Sequence, residues 1–466
     1  MLLIITTTNA ICDLFSLYGF LLSIYYDIFV FIRIFVTINI IIMKVYKFGG
    51  ASVQSADGVK NLAKIINNEP GCLVLIISAM GKTTNALEKV INTYINLNIT
   101  EATEFLNESK NYHFEIINQL FDEEKSNLLK FEIDELCDGV SVFMSTNRCF
   151  EYDYCYDQIV SLGELLSTHI VSNYLNHVGI SNIWLDARQL LRSDNTFREA
   201  NIHFDRSEAN LNKAIDFSHS SVFLTQGFIA GNKAGNTTTL GREGSDYSAA
   251  VIGSLINAES VTIWKDVPGV LNADPRIFEN TKLLSAISYK EAAELSYYGA
   301  QIIHPKTIKP LQNKNISLYV KSFIDIGSKG TIIGGNKVIE LEIPVYIIKN
   351  NQVLISILSK DFSFALEETL TEVFNVLLRH RLKVNLIQSS AVSISVCVDN
   401  TRYVMPAIEE FLNDYDVRYN ENLQLLTIRN YTDEMIAEYS KGKQVFIEQK
   451  SRRTVRILMD ADNNNK

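Results

Sequence analysis

A chain of 466 residues, 47% hydrophobic and 21% charged, is too long for one ordinary core and has globular rather than disordered composition, so two or three domains are expected. The formal net charge of -10 and the lack of a Lys/Arg block argue against a nucleic-acid partner, because phosphate-backbone binding needs a broad basic surface. Six scattered cysteines (Cys12, Cys72, Cys137, Cys149, Cys155, Cys397) form no C-x-x-C pair, which reads as reduced thiols of a cytoplasmic protein rather than as zinc ligands.

Leu14 to Ile42 is almost continuously apolar, broken mainly by Asp27 and Arg33, and is long enough to cross a bilayer. It lacks the short hydrophobic region and cleavage site of a secretory signal. Met43 opens a domain-like segment without preamble, so Met43 is expected to be the native start and residues 1–42 upstream translation, with a membrane anchor as the alternative.

From Met43 onward, short apolar runs alternate with helix-period segments, the signature of a sheet built by crossover connections. Strands are predicted at Val45–Phe48, Cys72–Ser78, Ile183–Asp186, Val222–Ile229, Val261–Asp266 and Ile316–Phe323. Helices are predicted at Ser55–Ile66, Asp246–Ile256 and Ser288–Tyr298, and residues 88–155 read as mostly helical with no legible role. The turn Asp325 to Thr331 marks a domain boundary. Beyond residue 340 the order is strand (Val353–Leu358), helix (Phe364–Arg379), strand (Val392–Val398), helix (Tyr403–Leu412), then strand, helix and two strand-like runs. This predicts two consecutive ferredoxin-like modules.

Several segments carry chemistry. Lys47-Phe48-Gly49-Gly50-Ala51-Ser52 sets an ammonium at a strand end beside glycines that let backbone N–H groups approach a polyphosphate, although a plain turn has the same appearance. Gly81-Lys82-Thr83-Thr84 is no P-loop, because Ile76 stands where the earlier Gly belongs; Ser78 and Thr84 read better as polar groups beside a helix start. In Thr239 to Ala250, Gly241, Arg242, Gly244, Ser245 and Asp246 bring free amides, a hydroxyl and a guanidinium fork to a helix N-terminus, where anions are favoured. Trp264-Lys265-Asp266 and Asp274-Pro275-Arg276 follow an apolar strand, where open α/β sheets bind ligands. His304, beside Pro305, carries no catalytic expectation.

Together and in this order these segments resemble the aspartate kinases of the amino-acid kinase family, from Met43 to about Thr331 for the catalytic domain (residues 43–331), while residues 340–466 resemble the family's tandem ACT domains. The family's Lys-Phe-Gly-Gly-Thr-Ser-Val is Lys47 to Val53 here, departing only at Ala51. Its Ser-x-Gly-Glu is Ser161 to Glu164, and its Gly-Arg-Gly-Gly-Ser-Asp is Gly241 to Asp246 with Glu243 for a Gly. The fold implied is a mainly parallel α/β sheet sandwiched by helices, followed by two ferredoxin-like modules. The activity implied is transfer of the ATP γ-phosphoryl group to L-aspartate, with Mg²⁺ accompanying ATP and no dedicated protein metal site. A non-catalytic amino-acid sensor of the same fold is the alternative.

The resemblance also implies roles. Lys47 contacts the transferring phosphoryl group, with Ser245 and Asp246 organising the centre around it. Glu164 holds the aspartate ammonium, Arg242 its α-carboxylate, and Ser78 and Thr84 line that site. Gly49, Gly50, Ser52, Asp266 and Arg276 belong to the nucleotide side. An amino-acid effector at the ACT modules and a homodimer are expected. Two departures stand out. Gln301 replaces a phosphate-binding Lys of many relatives, and Lys265, where those relatives have Thr, is expected to supply the missing charge. In the first ACT module Asn385 and Ala391 stand where lysine-inhibited relatives have acids, which predicts weak or absent lysine inhibition through this pocket and leaves threonine or no effector.

Overall fold

The computed structural model describes residues 43–300, 303–334, 343–360 and 367–461. The expectations for residues 1–42, for Gln301 and for a helix start at Phe364 lie outside them. Strand β1 (Met43–Phe48) pairs in parallel with β2 (Cys72–Ile77). Between them Ser55 caps α1 (Ala56–Asn67) by accepting from Gly58 N, and α1 buries Val59, Leu62, Ala63 and Ile66, the face its spacing predicts. Five helices follow: α2 (Thr83–Ile95), α3 (Ile99–Leu120), α4 (Glu123–Thr146), α5 (Tyr152–Val160) and α6 (Leu162–His177). Helix α3 packs on α1, α2, α4 and α6. The stretch 88–155 is therefore a helical layer whose Leu106, Ile117, Leu129 and Ile133 share one core with Phe48, Leu75 and Ile77.

The chain continues through β3 (Ile183–Leu185), α7 (Ala187–Leu190), α8 (Phe204–Ala214), β4 (Val222–Gln226), the hairpin β5 (Ile229–Gly231) and β6 (Thr237–Thr239), and α9 (Gly244–Leu255). Then come β7 (Ser260–Lys265), β8 (Ala286–Ile287), α10 (Tyr289–Tyr298), α11 (Pro305–Lys314), β9 (Ser317–Ser322) and β10 (Thr331–Ile333). Eight strands form one sheet in the order β3-β4-β2-β1-β7-β9-β10-β8, parallel except between β9 and β10. Alternate residues of β1 and β2 serve opposite faces: Phe48, Leu75 and Ile77 join the α1–α6 side, while Val45, Val74 and Ile76 join the core containing α9. Strand β1 thus lies inside a three-layer sandwich with its carboxyl end, and Lys47, at the sheet's upper edge.

The remaining elements are β11 (Val345–Ser359), α12 (Glu367–Arg379), β12 (Val384–Ser389), β13 (Ser393–Asp399), α13 (Val404–Phe411), β14 (Tyr415–Arg429), α14 (Asp433–Ser440), β15 (Val445–Lys450) and β16 (Thr454–Asp460). They build one antiparallel six-stranded sheet, β12-β13-β11-β14-β16-β15. Both ferredoxin-like modules are present, but they are nested rather than consecutive. Strands β11 and β14 are each 15 residues long and pass through both modules. The first module uses the second half of β11, and the second is completed by Val345 to Lys349, which precede the first in the chain. The strand predicted to begin at Val353 begins at Val345 instead: Asn351 at φ 52 sits at a register shift inside it, a bulge that bends β11 without ending it.

Among the described residues no helix is long and apolar enough to cross a membrane. The two sheets meet through α10: Arg429 Nε and Nη2 each donate to Glu291 at 2.6 Å, a bidentate pair largely shielded from solvent.

Candidate active site

Parallel strands end together, and their carboxyl ends collect what the sequence places there. Lys47 is the penultimate residue of β1, Lys265 the last of β7, and Ser78 follows β2. Above them begins α9, whose first N–H groups lack intrahelical acceptors and whose first turn carries Asp246. Lys47 Nζ lies 2.6 Å from Asp246 Oδ1, and Lys265 Nζ lies 3.6 Å from Oδ2. Burial pushes the Asp246 carboxyl up, but the charges and hydrogen bonds of the two lysines outweigh it and hold it below its ordinary value. Asp246 is thus an ionised strut between two cations.

Glu164 lies in the first turn of α6 and is buried. Its Oε1 accepts from Ala79 N at 3.3 Å, whereas Oε2 is buried with no hydrogen-bond partner. Burial pushes its carboxyl up to about 8, against the Ala79 and Glu164 backbone hydrogen bonds and the charge of Lys47. A buried carboxylate oxygen without a partner is costly, and a cation entering the cavity would relieve it.

These groups line a cavity of about 400 Å³. Of the predicted site residues, Lys47, Gly49, Gly50 and Ser52 line it from β1 and the turn after it, Ser78, Thr84 and Glu164 from the α2 and α6 side, and Ser245, Asp246, Lys265 and Asp266 from α9 and β7. A Cβ on Gly50 would stand 2.7 Å from Ala79 O, so only glycine allows the two loops to approach this closely. Phe228, Glu243 and Trp264 also line the cavity, without having been singled out for it. Glu243, the residue in place of a glycine, adopts φ 54, and its Oε2 accepts from His304 N at 2.7 Å. That bond ties the turn before α9 to the N-cap of α11, where the His304 side chain accepts from Lys306 N.

Arg242 does not line this cavity. It lines a neighbouring one of about 1070 Å³ that shares Thr84, Phe228 and Gly241 with the first. There it is joined by Arg198, which sequence reasoning missed. The Arg198 guanidinium lies 4.4 Å from the Tyr156 ring centre, with Nη1 3.4 Å from Asp153 Oδ1. Buried Asp157 fixes the Arg198 loop to β6: its Oδ2 accepts from Arg198 N at 3.0 Å and Thr239 N at 2.8 Å, and its Oδ1 from Thr239 Oγ1 at 2.6 Å. Burial raises the Asp157 carboxyl to about 6, with these bonds opposing. Arg276 is exposed and lines neither cavity; its fork is held by Asp274 at 2.7 and 3.0 Å.

Among the described residues no histidine or cysteine lines either cavity. The site offers cations and helix N–H groups for an anionic centre, a buried carboxylate for an ammonium and arginines for a carboxylate. The lysine pair and the helix N–H groups suit a nucleophile that arrives already ionised, because they offset the repulsion between two anions.

The sequence matches the amino acid kinase family over residues 43–322. Lysine-sensitive aspartokinase 3 of Escherichia coli (strain K12) is 31% identical over 358 residues, covering 77% of this chain and 78% of that protein. The chloroplastic aspartokinase 1 of Arabidopsis thaliana is 31% identical over 369 residues, 77% of this chain and 63% of that one. The crystal structure of E. coli aspartokinase III in complex with aspartate and ADP (R-state) aligns with a TM-score of 0.77 at 26% identity, covering 90% of this chain and 96% of that one. The same enzyme in complex with lysine and aspartate (T-state) aligns at 0.74 and 27% identity, covering 89% and 95%.

Proposed function

The chain belongs to the amino acid kinase family, and we propose that it works there as an aspartate kinase, moving the γ-phosphoryl group of ATP onto the side-chain carboxylate of L-aspartate. The product is 4-phospho-L-aspartate, the first intermediate toward lysine, threonine and methionine. The observation that carries the choice of substrate is Glu164 Oε2, buried and unpartnered beside Lys47. An acceptor that brings its own ammonium satisfies it, and one that lacks an ammonium does not.

A carboxylate with an ordinary pKa near ~3.9 is ionised at neutral pH and needs no general base. One of its oxygens attacks the γ-phosphorus, the bond from that phosphorus to the bridging oxygen of ADP breaks, and no proton moves. The obstacle is repulsion between two anions. Lys47 stabilises the phosphoryl group in flight, and Asp246 holds that ammonium in place. The amides around Gly49 and Gly50, with Ser52 and Lys265, serve the phosphates, and Asp266 the nucleotide. Ser78, Thr84 and Ser245 line the aspartate side. Arg242 and Arg198 take the α-carboxylate, which an arginine fork grips bidentately. ATP would bring Mg²⁺ with it, and that ion would supply further charge neutralisation at the phosphates beside Lys47 and Lys265.

We take residues 43–331 as the catalytic domain and 340–466 as the regulatory region, working as a cytoplasmic homodimer. A pure amino-acid sensor has no need of a lysine pair held on a buried carboxylate at the strand ends. Substrate replacement tests the reading. Succinate, which is aspartate without its ammonium, should show kcat/KM lower by about a hundredfold or more; phosphorylation of succinate as efficient as that of aspartate would remove Glu164 from its role.

A further inference from the structure

The cavity beside the catalytic one is not walled by the catalytic domain alone. Leu378, Arg381, Leu382 and Lys383, from the end of α12 and the turn into β12, line it together with Arg198 and Arg242. Leu382 N donates to Leu377 O at 2.8 Å and Arg381 N to Leu378 O at 3.0 Å, the paired bonds of a Schellman end to α12. That motif puts one residue in left-handed backbone, where glycine is favoured, yet Arg381 occupies it at φ 54. The turn buries Leu382 in the core of the module and leaves Arg381 and Lys383 exposed. The two preceding cations are engaged elsewhere, since Arg379 and His380 both pair with Glu410. Arg381 and Lys383 form no ion pair among the described residues.

The charges of the two domains also act on shared neighbours. The Tyr403 hydroxyl is held below its ordinary value by its hydrogen bond from Arg402 and by the charges of Arg402, Arg381 and Arg198, against burial. Burial lowers the His304 imidazole, Glu243 opposes this, and Arg242, Lys383 and Lys306 lower it further. Arg381 is thus close to Arg198, and Lys383 to Arg242. The acids lining the cavity are Asp153 and Glu199, and Asp153 is already engaged with Arg198. Four cations therefore face two acids, one of them taken. A guanidinium kept where the backbone favours glycine, in a cavity with such an excess of positive charge, points to an anionic ligand. We propose that the turn after α12 completes the acceptor site, Arg381 and Lys383 joining Arg242 and Arg198 in holding the α-carboxylate of aspartate. The proposal rests on the reading of the chain as an aspartate kinase and adds residues of the regulatory region to its substrate site. Two of the four cations reach the acceptor only while that region is docked, so aspartate occupancy and docking favour each other.

Steady-state kinetics of the full chain test it. Arg381→Gly removes the guanidinium and supplies the residue that the left-handed turn favours, so it should fold at least as well. It should raise the aspartate KM by about fivefold or more at low salt, with kcat and the ATP KM within about twofold. Arg381→Lys keeps the charge and should recover part of the affinity, while Lys383→Ser should raise the aspartate KM in the same way. Because both cations are exposed, the gap between the unmodified chain and Arg381→Gly should narrow as ionic strength rises from about 0.02 M to about 0.5 M. An aspartate KM unchanged in both Arg381→Gly and Lys383→Ser overturns the role. So does a gap that ignores salt, a loss as large in Arg381→Lys as in Arg381→Gly, or an ATP KM that rises as much as the aspartate KM. Absent turnover in the unmodified chain would instead strike the kinase reading.

Discussion

Lys47 Nζ sits 2.6 Å from Asp246 Oδ1, and both side chains are almost fully enclosed. A buried pair of this kind is held for position as much as for stability, because desolvating two charges offsets most of their attraction. If the ammonium acts chiefly as the phosphoryl group moves, Lys47→Ala should lower kcat by about a hundredfold or more while changing the aspartate KM little. Steady-state kinetics decide it; a large KM effect at preserved kcat would reassign Lys47 to substrate binding.

Glu164 gives a pH signature. Burial raises its carboxyl to about 8, so in the ligand-free protein it is largely protonated at neutral pH. Aspartate needs it ionised, so kcat/KM for aspartate should climb with pH up to about 8 and then level off. The stability sign runs the other way. A folded pKa above the unfolded value means that the folded chain holds the extra proton, so stability is full at low pH and is lost as pH rises through about 8. Glu164→Gln should therefore raise the Tm of the ligand-free protein at pH 8 while raising the aspartate KM. Thermal unfolding and kinetics on one preparation check both; a fall in Tm would show that the carboxylate has a stabilising partner.

The two arginines named from sequence part company. Arg242 lines the cavity beside the catalytic one, and Arg242→Ala should raise the aspartate KM by about tenfold or more with a smaller effect on kcat. Arg198→Ala should do the same. Arg276 is exposed and engaged with Asp274, and an exposed substitution of this kind is nearly neutral. Arg276→Ala should leave the ATP KM within about twofold; a severalfold rise would bring Arg276 to the nucleotide after all.

Lys265 stands 3.6 Å from Asp246 at the rim of the cavity. Lys265→Thr should raise the ATP KM or lower kcat severalfold, and adding Gln301→Lys should recover much of the loss if one charge can stand in for the other. Unchanged kinetics in the single variant would make Lys265 a bystander.

Most of the first cavity was legible in sequence because its residues lie at the ends of strongly apolar strands and at one helix start, all local signals. Arg198 was not, because what gives it meaning is remote in the chain. Tyr156 supports its guanidinium, and Asp157 and Thr239 fix its loop, and no local pattern announces that meeting. Its nearest signal was a basic residue in the polar segment between α7 and α8. Glu164 was named from the resemblance of Ser161 to Glu164, but its unpartnered oxygen appears only when α6 packs against the Ala79 loop. The nested modules were hidden for a different reason: a bulge at Asn351 and a turn use the same residues, and only pairing across the sheet tells them apart.

The most direct test of the account is ADP formation by the purified chain with MgATP, with and without aspartate, with hydroxylamine present to trap an acyl phosphate as its hydroxamate. The account predicts ADP release that saturates with millimolar aspartate and an equal yield of aspartyl hydroxamate. ADP release that ignores aspartate, or no release at all from a folded protein, would contradict it.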